Sequence, residues 1–216
     1  MRVVMIGPPG SGKGTQGALI AAHFDIPRIV VGDLLRDHVA RRTDLGQVVH
    51  RHLGRGELVP DKIVLCIVRE ALIAARAAGG DCVFDGAPRT MAQARAAHKI
   101  ATELGMTANV VIQLLAGEEE LTRRLLARAA VEHRADDTEQ VIRHRLALYQ
   151  QMTQPILGWY SRRGILVSVD ATRPIDEVGR GILAALELKR QPPGHVPARV
   201  RRPVDLTRLG VECAHP

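Results

Sequence analysis

Short apolar runs alternate along this chain with longer stretches in which apolar residues recur every three or four positions. "RVVMI" (2–6) reads as a buried strand and "GTQGALIAAHF" (14–24) as the helix after it. "RIVV" (28–31) is a short β-branched strand or an extended lead-in, and "GDLLRDHVARR" (32–42) is a helix that Asp33 is placed to cap. "DLGQVVHRHLGRG" (44–56) is a short helix ending in glycine, and "DKIVLCIVREALIAARAA" (61–78) keeps helical spacing until "GGD" breaks it. "CVF" (82–84) is a strand, "MAQARAAHKIATEL" (91–104) a helix, and "ANVVIQLLA" (108–116) a continuous apolar run suited to a central parallel strand. Helices follow over about 118–128 and 137–163, then the strand "ILVSVDA" (165–171) and the helix "RPIDEVGRGILAALEL" (173–188), with Pro174 near its first turn. Strands alternating with helices predict an α/β parallel sheet with helices on both faces. From Gln191 onward the chain is Pro- and Arg-rich without a period, and a disordered or loosely attached tail is expected.

A length of 216 residues suits one α/β core with a small inserted piece. Aromatics make up 2% of the chain, so that core must be built from Val, Leu, Ile and Ala. The net charge of +7 fits a positive cleft for polyanionic small molecules. It also fits a basic surface and tail, and no aromatic-rich basic stretch favours nucleic acid. Three cysteines, Cys66, Cys82 and Cys213, have no metal-ligand spacing, and their odd number argues against a disulfide framework. Cys66 and Cys82 read as small core residues. No apolar run reaches membrane-spanning length, and the first ends in Gly-Pro-Pro too early for a signal peptide, so a cytoplasmic protein is expected.

The chemistry begins at "GPPGSGKGTQ" (7–16). It satisfies the Gly-x-x-x-x-Gly-Lys pattern, with a strand before it and a helix after it. Glycines allow the backbone to close around an anion, so that successive N–H groups and the helix N-terminus bind phosphate oxygens, with Lys13 as a point charge. The residue after the lysine is Gly14 and the hydroxyl comes one place later, at Thr15.

That loop resembles the one in adenylate kinases and related nucleoside monophosphate kinases. The likeness continues, in order, through "GDLLR" (32–36), "LG…GRGELVPD" (45–61), "FDGAPRTMAQA" (84–94), "RADDTEQVIRHRLALY" (134–149) and "VDATRP" (169–174), covering roughly residues 1–188. The resemblance implies a P-loop NTPase-like sheet with a small helical acceptor-binding insertion at about 30–60 and a short lid at about 127–137. Residues 1–190 would be the kinase domain and 191–216 the tail.

By the same resemblance, ATP is held by Gly10, Ser11, Gly12, Lys13, Gly14, Thr15 and Arg128, with Ala171 on the adenine side. AMP is held by Val31, Arg36, Glu57, Val59, Gly86, Arg89, Gln93, Arg134 and Arg145. Lys13, Asp85, Arg89, Arg128, Arg134 and Arg145 serve transfer. Mg²⁺ is organised through waters near Asp85 and Asp33, without a direct protein ligand. The chain has 30 Lys and Arg, so any one arginine is by default a solvated surface residue; these are singled out because each falls in a motif.

The implied reaction is reversible transfer from ATP to AMP giving two ADP, in a monomer without zinc; the family's long lids sometimes carry four zinc-binding cysteines, and this short one has none. The chemistry asks for no general base, because an acceptor phosphate with a second pKa of about 6 is mostly dianionic at neutral pH. It asks for alignment, charge cancellation and exclusion of water. Two positions depart from the family. Val31 stands where a threonine helps read the acceptor adenine, and Ala87 where an aromatic packs near the acceptor. Gln93 matches the glutamine that reads the adenine edge. A kinase for another nucleoside monophosphate is therefore the alternative, and a regulatory nucleotide-binding protein that no longer catalyses is the rival outside the enzyme class.

Overall fold

The computed structural model describes residues 1–132 and 138–190. Alternation along the strands decides which helices lie on which face of the sheet. Strands β1 (Arg2–Ile6), β2 (Arg28–Val30), β3 (Cys82–Asp85), β4 (Val110–Leu115) and β5 (Leu166–Asp170) are all parallel, in the order β2-β3-β1-β4-β5. Val3 and Met5 of β1, Val83 of β3, and Val110, Ile112 and Leu114 of β4 point to one face. There they meet α1 (Lys13–Phe24) through Ile20 and α9 (Ile175–Arg190) through Val178, Ile182 and Leu186. The intervening residues point the other way: Cys82 and Phe84 toward α4 (Asp61–Ala77), and Ile6 and Val111 toward α5 (Met91–Glu103) and α8 (Gln154–Ser161). On α4 the buried stripe Val64, Ile67, Val68, Ala71, Leu72 and Ala75 keeps the helical period.

Between β2 and α4 lies a two-helix insertion, α2 (Val31–Ala40) and α3 (Asp44–Leu53). Thr43 caps α3, its hydroxyl accepting from the Gly46 N–H at 3.0 Å. On the far side, α6 (Glu118–Glu132) and α7 (Glu139–Leu148) pack through Leu121, Leu125, Ile142 and Leu146.

Three boundaries differ from expectation. The helix α2 begins at Val31, so Asp33 lies inside its first turn and pairs with Arg36 instead of capping. The helix α6 runs on to Glu132. The stretch expected as one helix over 137–163 is interrupted by a π-helical turn, Tyr149–Thr153, just before Pro155. Proline has no N–H and its ring clashes with the carbonyl four residues back, and a wider turn accommodates both. Cys82 is buried, and burial pushes its thiol up to about 11. Cys66, expected as a small core residue, is half-buried on α4. No helix among the described residues is long and apolar enough to cross a membrane.

Candidate active site

Parallel register brings the C-terminal ends of β1 and β3 side by side, with Met5 opposite Asp85. The loop after each strand therefore opens onto one cleft, where ligands bind in open α/β sheets. The 7–12 loop leads directly into α1. Gly10 and Gly12 have φ of 80° and 89°. A Cβ at Gly10 would lie 2.9 Å from Leu125 and 3.0 Å from the Leu121 carbonyl, so a side chain is barred there by both conformation and contact. Lys13, Gly14 and Thr15 of the first turn of α1 line the cleft, which puts the helix's unsatisfied N–H groups at its wall.

The Lys13 ammonium donates to the Gly7 and Pro8 carbonyls, both at 2.8 Å. Lys13 is half-buried, and burial pushes its pKa down to about 8. Asp85 pulls the value back up, while Arg89, Arg145 and Arg128 push with the burial. These four residues thus share one local field, and all line the cleft.

Every described residue expected to hold ATP lines this cleft: Gly10, Ser11, Gly12, Lys13, Gly14, Thr15, Arg128 and Ala171. Every described residue expected to hold AMP lines a second, smaller pocket: Val31, Arg36, Glu57, Val59, Gly86, Arg89, Gln93 and Arg145. Arg36, Gly86, Arg89 and Arg145 line both, so the two spaces meet at a cluster of guanidinium groups. Arg134 and His133 lie outside the described residues, as do 133–137 of the expected lid and the tail from 191; residues 127–132 of that lid belong to α6.

Some cleft residues fall in no motif: Arg28, Arg123, Arg124 and Glu120 also line the larger cleft, as does Arg173 of the "VDATRP" turn. Glu120 accepts from Arg123 at 2.8 and 2.7 Å and from Arg124 at 2.6 Å, and those bonds hold its carboxyl down at about 2. Arg124 also donates to the Ala171 carbonyl at 2.9 Å, tying α6 to the turn after β5. Its position four residues before Arg128 was the available signal, since that spacing shares a helix face. Cations outnumber carboxylates along the described wall, which favours a polyanion.

Arg89 is fixed at three points. Its N–H donates to Gln93 Oε1 at 2.8 Å, its Nε to the Gly86 carbonyl at 2.9 Å, and its own carbonyl accepts from Thr153 at 2.9 Å. The π turn thereby acquires a purpose, since it holds the buried Thr153 against Arg89. Ala87 is buried and borders two spaces: an apolar cavity beside Phe84, Val68 and Leu72, and a pocket that Lys13, Gly86, Arg89 and Arg145 also line.

The buried Asp85 carboxylate and the Thr15 hydroxyl, with Asp33 on the same wall, offer oxygens only, a donor set that suits a hard cation carried on phosphates. No group of three or more His, Cys, Asp and Glu able to hold a metal ion occurs among the described residues.

The family model for adenylate kinase matches residues 5–165. The chain is 42% identical over 187 residues to an adenylate kinase of Thermobifida fusca, covering 87% of this chain and 98% of that one. It is 45% identical over 184 residues to an adenylate kinase of Thermus thermophilus (85% and 96%) and 44% identical over 186 residues to one of Kocuria rhizophila (86% and 98%).

Proposed function

Because the chain belongs to the adenylate kinase family, whose reaction is reversible phosphoryl transfer from ATP to AMP giving two ADP, we propose that its two joined pockets hold these nucleotides end to end. The observation that carries this reading is the shared wall of Arg36, Gly86, Arg89 and Arg145. ATP phosphates lie on Gly10 to Thr15 and meet Lys13 and Arg128, with the adenine toward Ala171. The AMP phosphate meets Arg36, Arg89 and Arg145, and its base meets Val31, Val59 and Gln93. Arg134 is assigned by its motif alone.

The positioned AMP oxygen attacks the γ-phosphorus in line as the bond to the β-phosphate breaks, and the leaving β-phosphate takes the electron pair. Catalysis rests on positioning and charge cancellation, and one arginine at a transferring phosphoryl group contributes ~10³–10⁵ in rate in comparable enzymes. Mg²⁺, organised by Asp85 with Asp33 nearby, neutralises phosphate charge when it is bound with ATP. Residues 1–190 form the kinase domain, with the acceptor insertion at about 30–60 and the short lid at about 127–137; 191–216 are a tail. The protein acts as a cytoplasmic monomer.

The test is a steady-state assay with ATP and a panel of AMP, dAMP, CMP, UMP and GMP. AMP is expected to be the preferred acceptor, with measurable transfer to the others because Val31 offers no hydroxyl to the base. Turnover faster with another monophosphate than with AMP would reassign the acceptor, and no transfer to any would refute the reading.

A further inference from the structure

A glutamine amide can read a base only if its two ends are told apart, and Gln93 is held so that they are. Gln93 is 2% exposed, lies in the first turn of α5, and forms part of the acceptor wall. Its Oε1 accepts the Arg89 backbone N–H at 2.8 Å. Its Nε2 donates to Asp61 Oδ1 at 2.7 Å. The other carboxylate oxygen, Oδ2, accepts from the Thr90 hydroxyl at 3.3 Å, and Thr90 in turn accepts the Gln93 N–H at 3.0 Å. A backbone N–H can only donate and a carboxylate can only accept. Turning the amide over would set donor against donor and acceptor against acceptor at once, so the orientation is fixed by chemistry.

We propose that Asp61, at the start of α4, is a specificity-determining positioning residue that locks the Gln93 amide in the one orientation that matches adenine. With one lone pair of Oε1 and one Nε2 proton committed, the amide keeps an acceptor and a donor in fixed places. Adenine carries an amine donor at C6 beside a ring-nitrogen acceptor, and guanine carries an oxygen acceptor at C6. Cytosine follows the adenine pattern on its pairing edge, and uracil follows the guanine pattern. The locked amide therefore accepts AMP, tolerates CMP, and meets GMP and UMP with a donor or acceptor unpaired. A site built to hydrogen-bond its substrate rejects such analogues more strongly than an apolar wall does. In Asp61→Asn the side chain keeps its size but can present either an oxygen or an amine, so the clash at that end of a turned-over Gln93 amide is relieved and only the Arg89 N–H still opposes the second orientation.

This inference rests on the acceptor base lying against Gln93, and the experiment separates the two. The specificity constants for AMP, GMP, CMP and UMP are measured at saturating ATP for wild type, Asp61→Asn and Gln93→Leu. One hydrogen bond corresponds to a change of roughly 2- to 12-fold. For Asp61→Asn, the GMP:AMP and UMP:AMP ratios are expected to rise by about that factor, through a higher KM for AMP with KM for ATP unchanged. Because each ratio compares two acceptors on one preparation, it does not depend on the fraction of protein folded. Should the asparagine variant yield no folded protein, Asp61→Ser, whose hydroxyl also both donates and accepts, carries the same expectation. Ratios unchanged in Asp61→Asn but altered in Gln93→Leu would overturn the role of Asp61. An unchanged KM for AMP in Gln93→Leu would overturn the placement of the base itself.

Discussion

Replacing Gly46 with alanine should separate the acceptor side of the site from the donor side. Gly46 sits in the first turn of α3, where that helix crosses the end of α2. A Cβ built there would lie 2.1 Å from the His38 carbonyl oxygen, 2.5 Å from its carbon and 2.9 Å from the Val39 nitrogen. All three are backbone atoms, so no side chain can swing aside. Reaching ordinary contact at 3.4 Å requires the helices to part by about 1.3 Å.

That movement strains the corner where Thr43 binds both the His38 carbonyl at 3.3 Å and the His38 ring at 3.0 Å. Overpacking costs about 1–3 kcal/mol and each of the two weakened hydrogen bonds about 0.5–1.5 kcal/mol, so a loss of about 2–6 kcal/mol is expected. At about 2–4 °C per kcal/mol the melting temperature should fall by roughly 4–24 °C. Since α2 carries Val31 and Arg36, and Glu57 and Val59 follow α3, KM for AMP should rise while KM for ATP changes little. The assay is a thermal melt followed by circular dichroism, with steady-state kinetics on both substrates. Alanine is otherwise the better helix former by about 1 kcal/mol, so a melting temperature equal to or above wild type would refute the close contact. Equal effects on the two KM values would refute its assignment to the acceptor side.

Val31→Thr should lower KM for AMP by roughly 2- to 12-fold, the worth of one hydrogen bond, with little effect on ATP. Arg128→Ala should reduce turnover by about 10³-fold with an unchanged far-ultraviolet spectrum, and near-wild-type turnover would remove it from the transferring group. Lys13 has a folded pKa of about 8 against 10.5 in the unfolded chain, so between those values the unfolded state holds more protons and this group's contribution to stability rises with pH. Triphosphate binding favours the ammonium form, so calorimetry in two buffers at about pH 8.5 should report proton uptake that vanishes at about pH 6.5 and in Lys13→Met.

The order of strands and helices was legible because its signals are local: apolar runs for β1, β3 and β4, helical spacing for α4, and the glycines of the 7–14 stretch. The residues of the two pockets were legible through motifs, and those among the described residues line two adjoining spaces. What was not legible depends on partners distant in sequence. Gln93 could be marked as a base reader, but its tie to Asp61, 32 positions earlier, comes from packing α4 against α5. The π turn depends on Pro155, but the use of Thr153 depends on where Arg89 falls. Asp33 looked like a cap because Asp is a common capping residue, and the helix starts three residues earlier than that pattern suggests. Ala87 was read by its neighbours in sequence, and that it borders an apolar cavity as well as the site pocket comes from how β3 packs on α4.

The central claim is direct transfer between two nucleotides that meet at Arg36, Arg89 and Arg145. Mixing the protein with unlabelled AMP and ATP labelled at the γ-phosphorus tests it most directly. The label should appear as the β-phosphate of ADP, at a rate far above its appearance as inorganic phosphate, and Arg89→Ala should abolish the first without raising the second. Label recovered chiefly as inorganic phosphate, or left in ATP, would contradict the account.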